Sequence, residues 1–164
     1  MNLYLIRHAI AVEEHEDDSQ RPLTDKGRKK MRQTAKGLRA LGVEFDLILS
    51  SPYVRAAETA EIVADVFKMK KEVQFSENLV PSGSPEALIA EMNEKYNAGS
   101  VVLVGHEPFL SSLIGLLVAD NPNADITLKK GGMCSLSADD LHHTHKASMD
   151  WLLTPGILVG ISEK

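Results

Sequence analysis

The chain has 164 residues, 43% apolar and 25% charged, with a net charge of −5. That size and balance predict one domain over 1–164 with a substantial core, and the acidic excess argues against nucleic acid or an anionic membrane as the main partner. One cysteine, Cys134, excludes an internal disulfide framework; with no bilayer-length apolar run and no signal-peptide pattern, a cytoplasmic protein is expected.

The opening "NLYLIR" is short and apolar, a buried strand that ends on Arg7-His8. "HAIAVEEHEDDSQRPL" keeps neither the helical nor the strand period and reads as a long acidic loop. Thr24 can cap a helix with Asp25 in its first turn; Met31, Ala35, Leu38 and Leu41 recur on its inner face, and Gly42 stops it. Arg28, Lys29, Lys30 and Arg32 read as its solvated side. "FDLILSS" is a second buried strand, ended by Pro52. "YVRAAETAEIVADVF" is a helix with Ala56, Ala60, Val63 and Phe67 inward, and Lys68, Lys70 and Lys71 decorate its end. "EVQF" is a short third strand and "SENLVPSGSP" a loop. Ser84 and Pro85 open a helix that runs to about Tyr96. "SVVLVG" is a β-branched strand and "PFLSSLIGLLVA" a well-buried helix. From about Met133 to Trp151 two more strands follow, joined by a polar turn near Asp139-Asp140. Strands alternating with helices predict an α/β fold: a three-layer sandwich with a mostly parallel central sheet. Right-handed crossovers then bring the strand ends to one edge, where such sheets bind ligands.

The residues at that edge carry chemistry. The first strand ends at Arg7-His8, the second at Ser50-Ser51 with Arg55 one turn into the next helix, and "SVVLVG" at Gly105-His106. A lone histidine after a strand is usually filler and a lone arginine a surface charge; their coincidence from three segments is not. Arginine forks match phosphate oxygens, and a neutral imidazole is a nucleophile toward phosphorus. The second histidine can stabilise developing charge, and the helix N-termini after Ser51 and His106 would add positive dipole ends. Neither a P-loop nor a GxGxxG pattern follows a strand.

These residues carry a family resemblance. "LIRHA", "SSPYVRAAETA" and "LVGHEP" resemble, in order and spacing, the R-H-G, S-x-x-x-R-A-x-x-T-A and G-H motifs of the histidine phosphatase (phosphoglycerate mutase-like) superfamily. "DSQRPLTDKGRKK" and the short length resemble its SixA-type branch of protein phosphohistidine phosphatases. The resemblance implies His8 as the nucleophile that accepts the phosphoryl group, with Arg7, Arg55 and His106 completing the phosphate pocket. Arg21 would help bind phosphate or substrate, and Ser51 would order the pocket or cap the helix at Arg55. It implies no cofactor and no metal; His143 and His145 in "LHHTHK" could share a strand face, but a metal site needs further ligands.

Two departures bear on chemistry. Ala9 stands where the family has glycine. Leu79-Val80-Pro81 puts proline where many family members carry the glutamate that protonates an alcohol leaving group, and Glu77 is out of register with it. An alkoxide needs that acid; an imidazole leaving phosphorus does not. The expected activity is therefore metal-independent dephosphorylation of protein phosphohistidine, with a phosphorylated histidine-phosphotransfer protein as partner in signal transduction. The competing readings are a phosphomonoesterase for small metabolites, a phosphate-dependent binding module without turnover, and a mutase. Asp18, in the acidic loop, could assist the leaving group. Cys134 reads as a core residue.

Overall fold

Side chains alternate across a strand, so a strand with helices on both faces must bury every position. The first strand, β1 (Asn2–Arg7), does so from Leu3 to Ile6: Leu3 and Leu5 enter one apolar cluster, Tyr4 and Ile6 the other. The computed structural model describes residues 1–69, 73–141 and 146–164. In chain order there follow α1 (Asp25–Ala40), β2 (Leu47–Ser50), α2 (Val54–Phe67), β3 (Val73–Phe75), α3 (Pro85–Lys95), β4 (Ser100–Gly105), α4 (Phe109–Ala119), β5 (Met133–Ser137), β6 (Ser148–Leu153) and α5 (Pro155–Ser162). The sheet order is β3-β2-β4-β1-β5-β6. The first four strands of that order are mutually parallel, while β5 runs antiparallel to both β1 and β6. The expected mostly parallel α/β/α sandwich is what forms.

Helices α3 and α4 cover the face bearing Leu3 and Leu5; α1, α2 and α5 cover the other. The Thr24 side chain accepts from Gly27 N–H, and those of Ser84 and Thr154 likewise cap α3 and α5. Cys134 is fully buried, and burial pushes its thiol up to about 12, which leaves it an inert core residue. Among the described residues no helix is long and apolar enough to cross a membrane.

Three expectations change. Leu41 does not join the core: α1 ends at Ala40, and Leu41, its C-cap, is 43% exposed. The C-terminal helix α5 was not expected; its Leu158 is buried against α1, where Gly37 has no side chain to keep the two backbones apart. The long loop is also more ordered than its lack of period suggested. It forms a 3-10 turn at Asp18–Gln20 and a bridge between Ala11 and Leu23. Lys70, Lys71, His143 and His145 lie outside the described residues.

Candidate active site

Adjacent parallel strands in register end side by side, and β4 lies between β1 and β2. Arg7 pairs with Gly105 and Ser50 with Val104, so the next residues of each strand, His8, His106 and Ser51, form a row. Backbone bonds extend the row past the sheet: His8 N–H to Gly105 O at 2.9 Å and Ser51 N–H to Val104 O at 2.9 Å. The two imidazole centroids stand 5.2 Å apart. Arg55 reaches the row from the first turn of α2 and is only 4% exposed.

His8 Nδ1 lies 2.7 Å from Ala9 O. A carbonyl only accepts, so Nδ1 carries the proton and Nε2 keeps a bare lone pair. Burial, opposed by that hydrogen bond, together with the charges of Arg55, Arg7 and Arg21, lowers His8 to about 4. The ring is neutral and nucleophilic at physiological pH. His106 is lowered to about 3 by burial and by His8 and Arg55. Its Nε2 lies 2.8 Å from Ser51 Oγ. The tyrosine that starts α2 frames the same place: the Tyr53 ring meets His106 edge-on at 5.2 Å, and the Arg55 guanidinium lies 5.3 Å from its centroid.

Among the described residues, the buried side-chain nitrogen and oxygen atoms without a partner are Arg7 Nε, Arg55 Nε and His106 Nδ1. Buried polar atoms are normally paired, so unpaired ones ask for an explanation. All three belong to the residues grouped around His8. Other nitrogens of the arginines are held: Arg7 Nη1 by Leu128 O at 3.0 Å, Arg55 Nη1 by Asp18 O at 2.7 Å, and Arg55 Nη2 by the Asp18 carboxylate at 3.2 Å.

Asp18 joins the loop to the pocket. Its other carboxylate oxygen takes Arg21 Nε at 3.0 Å, and Arg21 Nη1 donates to Val12 O at 2.7 Å. Arg21, expected to help bind phosphate or substrate, forms a salt bridge with Asp18 in the acidic loop, and through Asp18 it is linked to Arg55. Partial burial would raise the Asp18 carboxyl, but the Arg21 hydrogen bond and the Arg55 charge outweigh it and hold it below the usual range. An ionised Asp18 is an anchor for cations and a poor proton donor.

Ala9 proves compatible with its place. Its methyl packs in the core, and its φ is not in the left-handed region that would demand glycine. Ala9 N–H donates to Thr59 Oγ1 at 3.1 Å, and Thr59 Oγ1 donates to Arg55 O at 2.7 Å. Thr59 thus links the His8 turn to the Arg55 turn. The sequence reading passed over it, although it is the threonine of "SSPYVRAAETA".

Of the two helix N-termini expected to face an anion, neither is capped by the side chain of its N-cap residue, but they differ in their other contacts. At α4 the Glu107 carboxylate already accepts from Ser111 N–H at 3.0 Å. The 3-10 turn Glu77–Leu79 passes over the end of β4, since Leu79 O lies 3.4 Å from where a Cβ on Gly105 would be. Glu77 is exposed on that turn. The carboxylate bound there is Glu91, held by Ser76 Oγ and, at 2.7 Å, by Asn78 Nδ2. No group of three or more metal-ligating side chains is placed to hold an ion among the described residues.

Comparison with known proteins points the same way. Residues 3–80 match the model of the histidine phosphatase superfamily (branch 1). The chain is 36% identical over 141 residues to an uncharacterized protein of Picosynechococcus sp., covering 83% of this chain and 84% of that one. It is 33% identical over 122 residues to the phosphohistidine phosphatase SixA of Escherichia coli, covering 73% of each. The structure of the protein histidine phosphatase SixA complexed with tungstate superposes with a TM-score of 0.82 at 27% identity, covering 96% of this chain and 99% of the other.

Proposed function

The chain belongs to the histidine phosphatase superfamily and is a phosphatase, and on that premise we propose that it removes the phosphoryl group from phosphohistidine on a partner protein by way of a covalent phospho-His8. The observation that carries the reading is the set of unpaired buried nitrogens, Arg7 Nε, Arg55 Nε and His106 Nδ1, grouped around a neutral imidazole whose Nε2 is bare. Two arginine N–H groups and a ring nitrogen that no protein group satisfies suit the oxygens of a phosphoryl group at a nucleophile.

In the first step His8 Nε2 attacks phosphorus and the bond to the leaving nitrogen breaks. Phosphorylation makes the His8 ring an imidazolium, and Ala9 O, already bound to Nδ1–H, stabilises that charge. The leaving imidazole departs neutral, with its proton on its other nitrogen, so no acid is needed at Pro81. Water then attacks the phosphoenzyme; the P–N bond breaks, His8 recovers its lone pair, and both water hydrogens leave with the phosphate. Arg7, Arg55 and His106 hold the oxygens throughout, while Arg21 acts through Asp18 on the same cluster. The SixA relative, a phosphohistidine phosphatase by name, supports a phosphoprotein substrate, and a histidine-phosphotransfer protein is the partner of choice.

The test is phosphate release from a purified phosphorylated histidine-phosphotransfer protein, against a panel of sugar phosphates. Faster release from the phosphoprotein, radiolabel trapped on the enzyme, and loss of both in His8→Ala are expected. Wild-type rates in His8→Ala would overturn the covalent route; faster turnover of the sugar phosphates would overturn the substrate.

A further inference from the structure

We infer that Ser51 serves the reaction through His106: its hydroxyl donates to His106 Nε2, which fixes the ring proton on Nδ1 and makes that nitrogen the donor to a phosphoryl oxygen. The inference deepens the phosphoryl-transfer reading and rests on it.

The argument is one of counting protons. A hydroxyl has one hydrogen to give and two lone pairs. Ser51 Oγ is fully buried and accepts from Tyr53 N–H at 3.2 Å. Its remaining contact among the described residues is His106 Nε2 at 2.8 Å. If Nε2 carried the ring proton, Ser51 Oγ would accept twice and its own hydrogen would be stranded. His106 Nδ1 would then be a bare, buried lone pair without a donor. If Ser51 donates instead, Ser51 and Nε2 are both satisfied, and the single unpaired group left is an N–H at Nδ1. Phosphoryl oxygens accept and do not donate, so only this arrangement lets His106 meet one.

The two histidines of the pocket then share a tautomer and present opposite ends. His8 gives its Nδ1 proton to Ala9 O and turns a lone pair to phosphorus. His106 has Nε2 held by Ser51 and keeps its Nδ1 proton for the oxygen. Ser51 is thus a positioning residue.

Long-range proton–nitrogen NMR of histidine-labelled protein at neutral pH reads the two nitrogens directly, with His106→Gln to assign the signal. The expected result is a protonated Nδ1 and an unprotonated Nε2 on His106 in the wild type, preserved in Ser51→Thr. In Ser51→Ala the proton should move wholly or partly to Nε2 while His8 stays unchanged, with affinity for inorganic phosphate falling about tenfold. A protonated Nε2 in the wild type, or an unaltered His106 tautomer in Ser51→Ala, overturns the inference. The wild-type spectrum decides even if Ser51→Ala fails to fold. Because the ring protons are read without turnover, failure to release phosphate from a phosphohistidine protein would sink the substrate reading and leave this result standing.

Discussion

Arg55 shows how little freedom a residue of this pocket has. Its two terminal nitrogens are fixed by Asp18, and the buried Nε is left without a protein partner. Lysine supplies one point charge and no fork. Arg55→Lys should therefore lower kcat/KM by on the order of 100-fold, read from initial rates of phosphate release. Arg21→Ala removes both the ion pair that anchors Asp18 and a positive charge that bears on His8, and should cost about tenfold in the same assay. His8, Arg7, Arg55 and His106 were legible in the sequence because each follows a recognisable strand or opens a recognisable helix. Asp18 was not legible as an anchor, because its partner lies 37 residues away across a loop without period. The Ala9 departure needed backbone geometry: a φ outside the left-handed region makes the methyl a core contact and removes the need for glycine.

Between elements, hydrogen bonds and glycine contacts set the spacing. Thr59 on α2 holds the Ala9 amide at the end of β1. Thr59→Val keeps the shape but leaves that buried amide unsatisfied, at a cost of about 1–3 kcal/mol by urea unfolding, together with reduced turnover. Thr59→Ser keeps the hydroxyl and should recover most of the loss in turnover. Gly37 serves packing alone: a Cβ there would meet Leu158 O at 2.0 Å. Gly37→Ala should destabilise by about 1–3 kcal/mol through separation of α1 from α5, with kcat per folded molecule unchanged. Helices with a clear apolar stripe, such as α1, could be read from periodicity. Helix α5 could not, since eight residues of "PGILVGIS" carry two glycines and no polar stripe; its place follows from Leu158 docking on α1.

Over the whole molecule, proton binding couples the site to stability. Folded His8 and His106 titrate at about 4 and about 3, against an ordinary value of 6.5. Between those limits the unfolded chain binds more protons, so stability falls as pH drops from 6.5 toward about 3. Urea midpoints at neutral pH and at about pH 5 should show this loss, and His106→Gln should shrink it. The fold class was legible from the strand–helix alternation, whereas the strand order was not, because pairing is decided by contacts distant in sequence. That order puts β1 between β4 and β5, with Arg7 N–H bound to Gly132 O on one side and His8 N–H to Gly105 O on the other. Amides of such a doubly flanked strand exchange with solvent deuterium only when the whole domain opens. The backbone that carries His8 is then among the last parts to breathe, so under the proposed function a docking phosphoprotein would meet a nucleophile already fixed in place.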